Sequence, residues 1–160
     1  MSGKKNKSKK NQPIVIQNKT AWRDYFIEET FICGMVLQGT EVKSIRSGKT
    51  QLKDSFAKIE NGEVWLYNCH ISPYQYGNRF NHSPLRKRKL LLNKKEILKL
   101  QIKQREKKLL LIPIKIYFSR NLAKLELSLA KSKKMYDKRE AIKKKELQRT
   151  IKTAKSKYIT

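Results

Sequence analysis

Apolar and polar residues alternate from Tyr25 to Leu37, where Tyr25, Ile27, Phe31, Cys33, Met35 and Leu37 share one parity. That two-residue period predicts a half-buried strand. Gly34 interrupts it late, and a glycine inside a strand predicts a bulge or bend of the kind that curls a small sheet into a barrel. Phe56 to Ile59 and Val64 to Ile71 predict two further strands joined by Asn61-Gly62. That dipeptide suits a tight hairpin because both central residues must accept positive φ. Leu109 to Phe118 and Ala123 to Leu129 predict a second hairpin, in which Leu125, Leu127 and Leu129 alternate with Lys124, Glu126 and Ser128. One face is then core and the other wet. Pro113 has no N–H for a ladder and is expected at an edge or bulge.

Helical signals lie between the strands. Gly39, Thr40 and Glu41 read as the entry to a helix of about two turns, with Thr40 as the cap and Gly48 as the stop after Arg46. Val42 and Ile45 would face inward, leaving Lys43, Arg46 and Lys49 to solvent or ligand. Asn93 and Glu96 form a capping-box pattern, and Leu92 and Ile97 a hydrophobic staple, for a helix ending near Arg105. Strands without βαβ spacing, with helices inserted between hairpins, predict a mainly β fold: a small antiparallel OB-like barrel over residues 20–130. Two basic extensions flank it. Residues 1–19 read as a flexible arm with six Lys and no acid, and Met1 to Asn11 lack the apolar core of a secretory signal. Residues 131–160 read as a basic tail, with twelve Lys and Arg against three acids, a net +9. Leu147, Ile151, Ala154 and Tyr158 place a thin apolar stripe on one helical face. Such a segment is expected to be disordered alone and helical against a polyanion.

Charge narrows the function. A net +26 on 160 residues points to a phosphate-rich partner, nucleic acid before an anionic membrane surface. No apolar run approaches the roughly 20 residues of a membrane-spanning helix. In the loop from Ser72 to Pro84, Tyr74, Tyr76, Arg79 and Phe80 interleave aromatic and basic groups, which suits base stacking. The same aromatics could equally fold back over the barrel. Catalytic chemistry is hard to place. His70 and His82 lack neighbours at metal-ligand spacing, no Gly-rich phosphate loop occurs, and Glu28-Glu29, the adjacent acidic pair, would point to opposite sides of a strand. Cys33 and Cys69 read as reduced core residues. The expectation is a cytoplasmic binding protein, monomeric when free, without metal or cofactor and without enzymatic activity.

Five runs in order resemble the SsrA-binding protein (SmpB) family: Asp24-Tyr25-Phe26-Ile27-Glu28-Glu29, Leu37 to Ser44, Asn68 to Tyr74, Arg88 to Asn93, and Tyr136-Asp137-Lys138-Arg139. The resemblance covers the chain from about Asn18 into the tail. It implies an adaptor that binds the tRNA-like domain of transfer-messenger RNA (tmRNA, SsrA RNA) and delivers it to stalled ribosomes. It implies tmRNA-binding roles for Gly39, Glu41, Lys43, Leu91, Asn93 and Lys124, though a glutamate at a helix N-terminus, as Glu41 is, could equally be structural, bonded to backbone. For Tyr136, Asp137, Lys138 and Arg139 it implies roles in the decoding centre of the small subunit, the tail becoming a helix in the empty mRNA channel. Three positions depart from the family pattern: Trp22, Ile32 where a glutamate is usual, and Ser132 where a glycine is usual. Competing readings are a structural ribosomal protein, an RNA-modifying enzyme and a nonspecific RNA tether.

Overall fold

The computed structural model describes residues 13–158; the Lys-rich stretch from Met1 to Asn11 lies outside them. The chain runs β1 (Val15–Gln17), α1 (Ala21–Asp24), β2 (Tyr25–Met35), α2 (Gly39–Arg46), β3 (Thr50–Gln51), β4 (Phe56–Glu60), β5 (Glu63–Tyr67) and β6 (His70–Ile71). It continues through β7 (Arg88–Leu91), α3 (Lys94–Lys107), β8 (Leu110–Ser119), β9 (Leu122–Ser132) and α4 (Met135–Tyr158). The large sheet has the order β1-β8-β4-β5-β7-β2-β9, and β8 also pairs with β9. That last pairing closes β8, β4, β5, β7, β2 and β9 into a ring, the antiparallel barrel the alternation predicts. Closure gives every ring strand a partner on both sides, β7 meeting β2 only at Gly34–Met35 and β4 meeting β8 only at Ala57, and β1 adds to β8 where β4 leaves it uncovered.

The barrel interior holds Phe31, Cys33, Met35, Leu66, Leu90, Leu111, Ile116, Leu125, Leu127 and Leu129. Each fully buried side chain of this size contributes about 1.5–3 kcal/mol. Leu100, Ile97 and Leu92 carry α3 onto the same core, and Ile45 does so for α2. Lys99 and Lys103 both bind Glu29 across β2, which fastens the outer side of α3. Asn61 (φ 50°) and Gly62 (φ 74°) make the hairpin turn as expected.

Several local expectations are corrected. The bulge in β2 falls between Ile27 and Glu29, not at Gly34. An extra residue reverses which face the following side chains take. Tyr25 and Ile27 therefore pack with Ala21, Ile112, Ile114, Ala130 and Phe56 in a second cluster, away from Phe31 and Cys33. A matching register shift at Pro113 turns β8 by the same device, which is where a residue without an N–H fits. The strand read from Val64 to Ile71 breaks at Asn68 (φ 55°), and His70–Ile71 pairs instead with Thr50–Gln51. Residues 15–18 are not part of a free arm. Ile16 is buried, and Asn18 donates through Nδ2 to the Pro113 carbonyl at 3.0 Å.

The tail is helical here in the chain alone, over the 24 residues of α4, about 36 Å. Lys, Arg, Glu, Gln, Leu and Ala, all good helix formers, dominate it. Asp137 accepts from the Lys134 N–H at 3.3 Å at its start. The root is tied down by Lys133, whose N–H donates to the Asp24 carbonyl (2.9 Å) and whose ammonium donates to the Trp22 carbonyl (3.0 Å) while lying over the Phe26 ring.

Candidate nucleic-acid interface

The surface that brings most of the nominated residues together starts at Gly34. Its partner across β9 is Lys124 and its partner across β7 is Leu91, so the three form one outward row over three strands. Tyr117 extends the row beyond Lys124. Glycine at the centre brings Leu91 close: a Cβ there would lie 3.4 Å from Leu91 Cβ and Cδ1. Leu91 is 51% exposed, an apolar side chain that shapes the surface. Asn93, two residues on, is exposed at the N-terminus of α3, where Glu96 accepts its N–H at 3.0 Å.

From Gly34 the chain leads through exposed Val36 to α2. Gly39 is exposed at the helix entry, and beyond its own chain neighbours and helix backbone nothing lies within 4 Å of where its Cβ would be. Thr40 does not cap the helix. Its hydroxyl bonds to His82 Nδ1 at 2.9 Å, while His82 Nε2 bonds to the Ile71 carbonyl at 2.8 Å. Since a carbonyl only accepts, Nε2 carries a proton and donates to Ile71. This buried histidine thus pins the loop at residues 72–84 against α2. Lys43, exposed one turn along, lies 5.1 Å over the Tyr74 ring. Tyr74 packs edge-on to Tyr76. Tyr74 folds back onto α2, whereas Tyr76 (74%) and Phe80 (83%) project into solvent.

Glu41 does not join this surface. It is wholly buried, and its carboxylate accepts from the Gln38 N–H (2.7 Å), Arg86 Nε (2.8 Å) and Arg88 Nε (2.7 Å). Arg88, equally buried, also donates through Nη1 to the Cys69 and Arg86 carbonyls and through Nη2 to the Pro84 carbonyl. The pair closes both ends of the segment that carries the loop. Burial on its own would raise the Glu41 pKa; the bonds from Arg86, Gln38 and Arg88 outweigh it and hold the carboxyl below its ordinary value. With its carboxylate buried and fully paired, Glu41 leaves no surface for a ligand to touch. The inward face of α2 is Glu41, Ser44 and Ile45, with Val42 only half-buried.

Arg88 is the residue that pattern reading missed. It shares strand parity with buried Leu90, so the alternation did mark it as inward, against the habit of placing arginine in water. Lys87 and Lys89 beside it pair with Glu60 and Glu63. The four residues nominated for the decoding centre lie together at the start of α4, away from the row: Tyr136 (71%) and Arg139 are exposed, and Lys138 is half-buried near Asp24. Among the described residues, no His, Cys, Asp and Glu cluster could hold a metal, and no helix is long and apolar enough to cross a membrane.

Comparisons with known proteins agree on one family. Residues 15–157 match the family model described as SmpB protein. The chain is 57% identical over 143 residues to the SsrA-binding protein of Carboxydothermus hydrogenoformans, covering 89% of this chain and 96% of that one. It is 59% identical over 141 residues to the SsrA-binding protein of Geobacillus thermodenitrificans, covering 88% and 91%. A solved chain from "tmRNA-SmpB: a journey to the center of the bacterial ribosome" superposes with a TM-score of 0.66 at 47% identity, covering 81% of this chain and 94% of that chain.

Proposed function

Because this chain belongs to the SmpB protein family, we propose that it is the RNA-binding adaptor of trans-translation. It binds the tRNA-like domain of tmRNA and brings it to stalled ribosomes. The observation that carries the reading is the division of the molecule. A rigid barrel presents one continuous contact face, while a helix of net charge +6 with exposed Tyr136 and Arg139 stands outside the core. On the barrel, Lys43 and Lys124 meet phosphates, Gly39 and Leu91 let the backbone of the RNA approach, and Asn93 offers an amide. Tyr76 and Phe80 give stacking surfaces beside them. Glu41 acts through Arg86 and Arg88 by holding the loop. The tail lies in the empty mRNA channel, with Tyr136, Asp137, Lys138 and Arg139 at the decoding centre. The protein works in the cytoplasm as a monomer, contributes no catalysis, and needs neither metal nor cofactor.

The test separates the two parts in the full chain. Lys43→Ala with Lys124→Ala should weaken binding to the tRNA-like domain and lower the slope of log K against log salt by about 0.7–0.9 per lost phosphate contact. Tyr136→Ala with Arg139→Ala should leave that affinity intact and abolish tagging of nascent chains on stalled ribosomes. Equal losses in both assays for both variants would refute the division, in favour of a nonspecific tether.

A further inference from the structure

Between α4 and the barrel lies an open cleft of about 890 Å³ that the tmRNA reading does not use. Its barrel wall carries Lys19, Arg23 and Lys115 with one carboxylate, Glu126, and its helix wall carries Lys144, Lys145 and Arg149 with one carboxylate, Glu146, so each wall keeps a net positive charge. Lys115 is paired with Glu126 at 2.9 Å and Arg23 with Asp24 at 2.9 Å. Lys19, Lys144, Lys145 and Arg149 have no carboxylate in ion-pair reach among the described residues, leaving a cationic gap. Two walls of like charge repel unless a polyanion lies between them. The lining is not purely ionic: Trp22, 62% exposed, and Ile142, 41% exposed, meet the cleft from opposite sides. A basic groove with an exposed aromatic is the combination that holds an unpaired nucleic-acid strand, phosphates on the cations and a base on the ring. The cleft is also continuous with the face already described. The Ile32-Glu126-Lys115 row lies beside the Gly34-Lys124-Tyr117 row on the same strands, two residues along.

We propose that this cleft is a second RNA site, which takes a single strand between the barrel and the tail and stacks one base on Trp22. It goes beyond the tmRNA reading, because it needs neither the tRNA-like domain nor a ribosome. Binding there neutralises the facing walls and draws α4 toward the barrel.

The probe is an octameric oligouridylate titrated against the full chain, with a duplex of equal length for comparison. Trp22→Leu should weaken the octamer about tenfold, the loss of one stacked base. Lys144→Gln, Lys145→Gln and Arg149→Gln together should lower the salt slope by about 2, three contacts at about 0.7 each for a single strand. The control removes the same charge from positions outside the cleft: Lys143→Gln, Lys152→Gln and Lys155→Gln. Glutamine keeps helix propensity, so both triple variants retain α4. Spin labels on α4 and on the barrel should show a shorter, narrower separation once the octamer is added. Equal effects of the two triple variants would overturn the proposal, as would a duplex that binds as well and ignores Trp22→Leu. Binding of the tRNA-like domain is measured alongside. Loss of the cleft effect with an intact Lys43 and Lys124 effect sinks this inference alone, and the reverse sinks the tmRNA face alone.

Discussion

Glu41→Gln preserves the shape of a buried side chain and deletes its charge, which makes it the sharpest perturbation of the fold. In the native chain Glu41 neutralises Arg88, and both have 0% exposure. After substitution the Arg88 guanidinium keeps its carbonyl partners at Cys69, Arg86 and Pro84 but becomes an unbalanced buried cation. Removing one partner of a buried pair costs about 3–5 kcal/mol. The amide oxygen still accepts one or two of the bonds, so a loss of about 3 kcal/mol is expected. That is a large part of the roughly 5–15 kcal/mol that holds a domain together. In urea, with a slope of about 1–3 kcal/mol per molar, the midpoint should fall by at least about 1 M. The pH dependence identifies the cause. The folded pKa of Glu41 lies below the unfolded one. Its contribution is therefore complete above the unfolded value and is lost as pH falls through the folded one. The gap between wild type and variant should be full near neutrality and narrow below the ordinary carboxylate pKa of about 4.3. A variant within about 1 kcal/mol of wild type, with a gap indifferent to pH, would refute the view that this carboxylate is the hub.

Other outcomes follow from single contacts. Thr50 Oγ1 is buried without a hydrogen-bond partner among the described residues, so Thr50→Val should leave the melting temperature unchanged or raise it. Burial pushes the Cys33 and Cys69 thiols up to about 12, so an aromatic disulfide reagent should titrate both only after denaturation; rapid reaction of the native chain would contradict their placement. Asp137→Ala removes the acceptor for the Lys134 N–H and should cost the start of α4 about 0.5–1 kcal/mol, read as lower helicity by far-UV circular dichroism. Tyr136→Ala with Arg139→Ala should leave that signal unchanged, so only this pair tests decoding without disturbing the helix.

Much of the barrel was legible in the chain. Leu125, Leu127 and Leu129 on β9, the Asn61-Gly62 turn and the Asn93-Glu96 helix start depend on neighbours in sequence, and local rules read them correctly. The residues of the candidate face were nominated through the family resemblance, and its geometry was not legible in the chain. Nothing local says that Lys124 and Leu91 flank Gly34, because that adjacency arises when strands far apart in sequence pair. Glu41 shows the limit most clearly. A helix-entry glutamate with two arginines some 45 residues away reads as surface charge until the barrel closes and excludes water from all but Arg86. The bulge at Ile27 and Glu29 is similar, since periodicity cannot register one inserted residue when both faces offer apolar partners. What the sequence by itself determined was periodicity, turn chemistry and an excess of positive charge, each a property of neighbouring residues or of a sum. Only the tertiary structure decided which charges are buried and paired and which remain for a ligand, because desolvation depends on what the rest of the chain packs around a group.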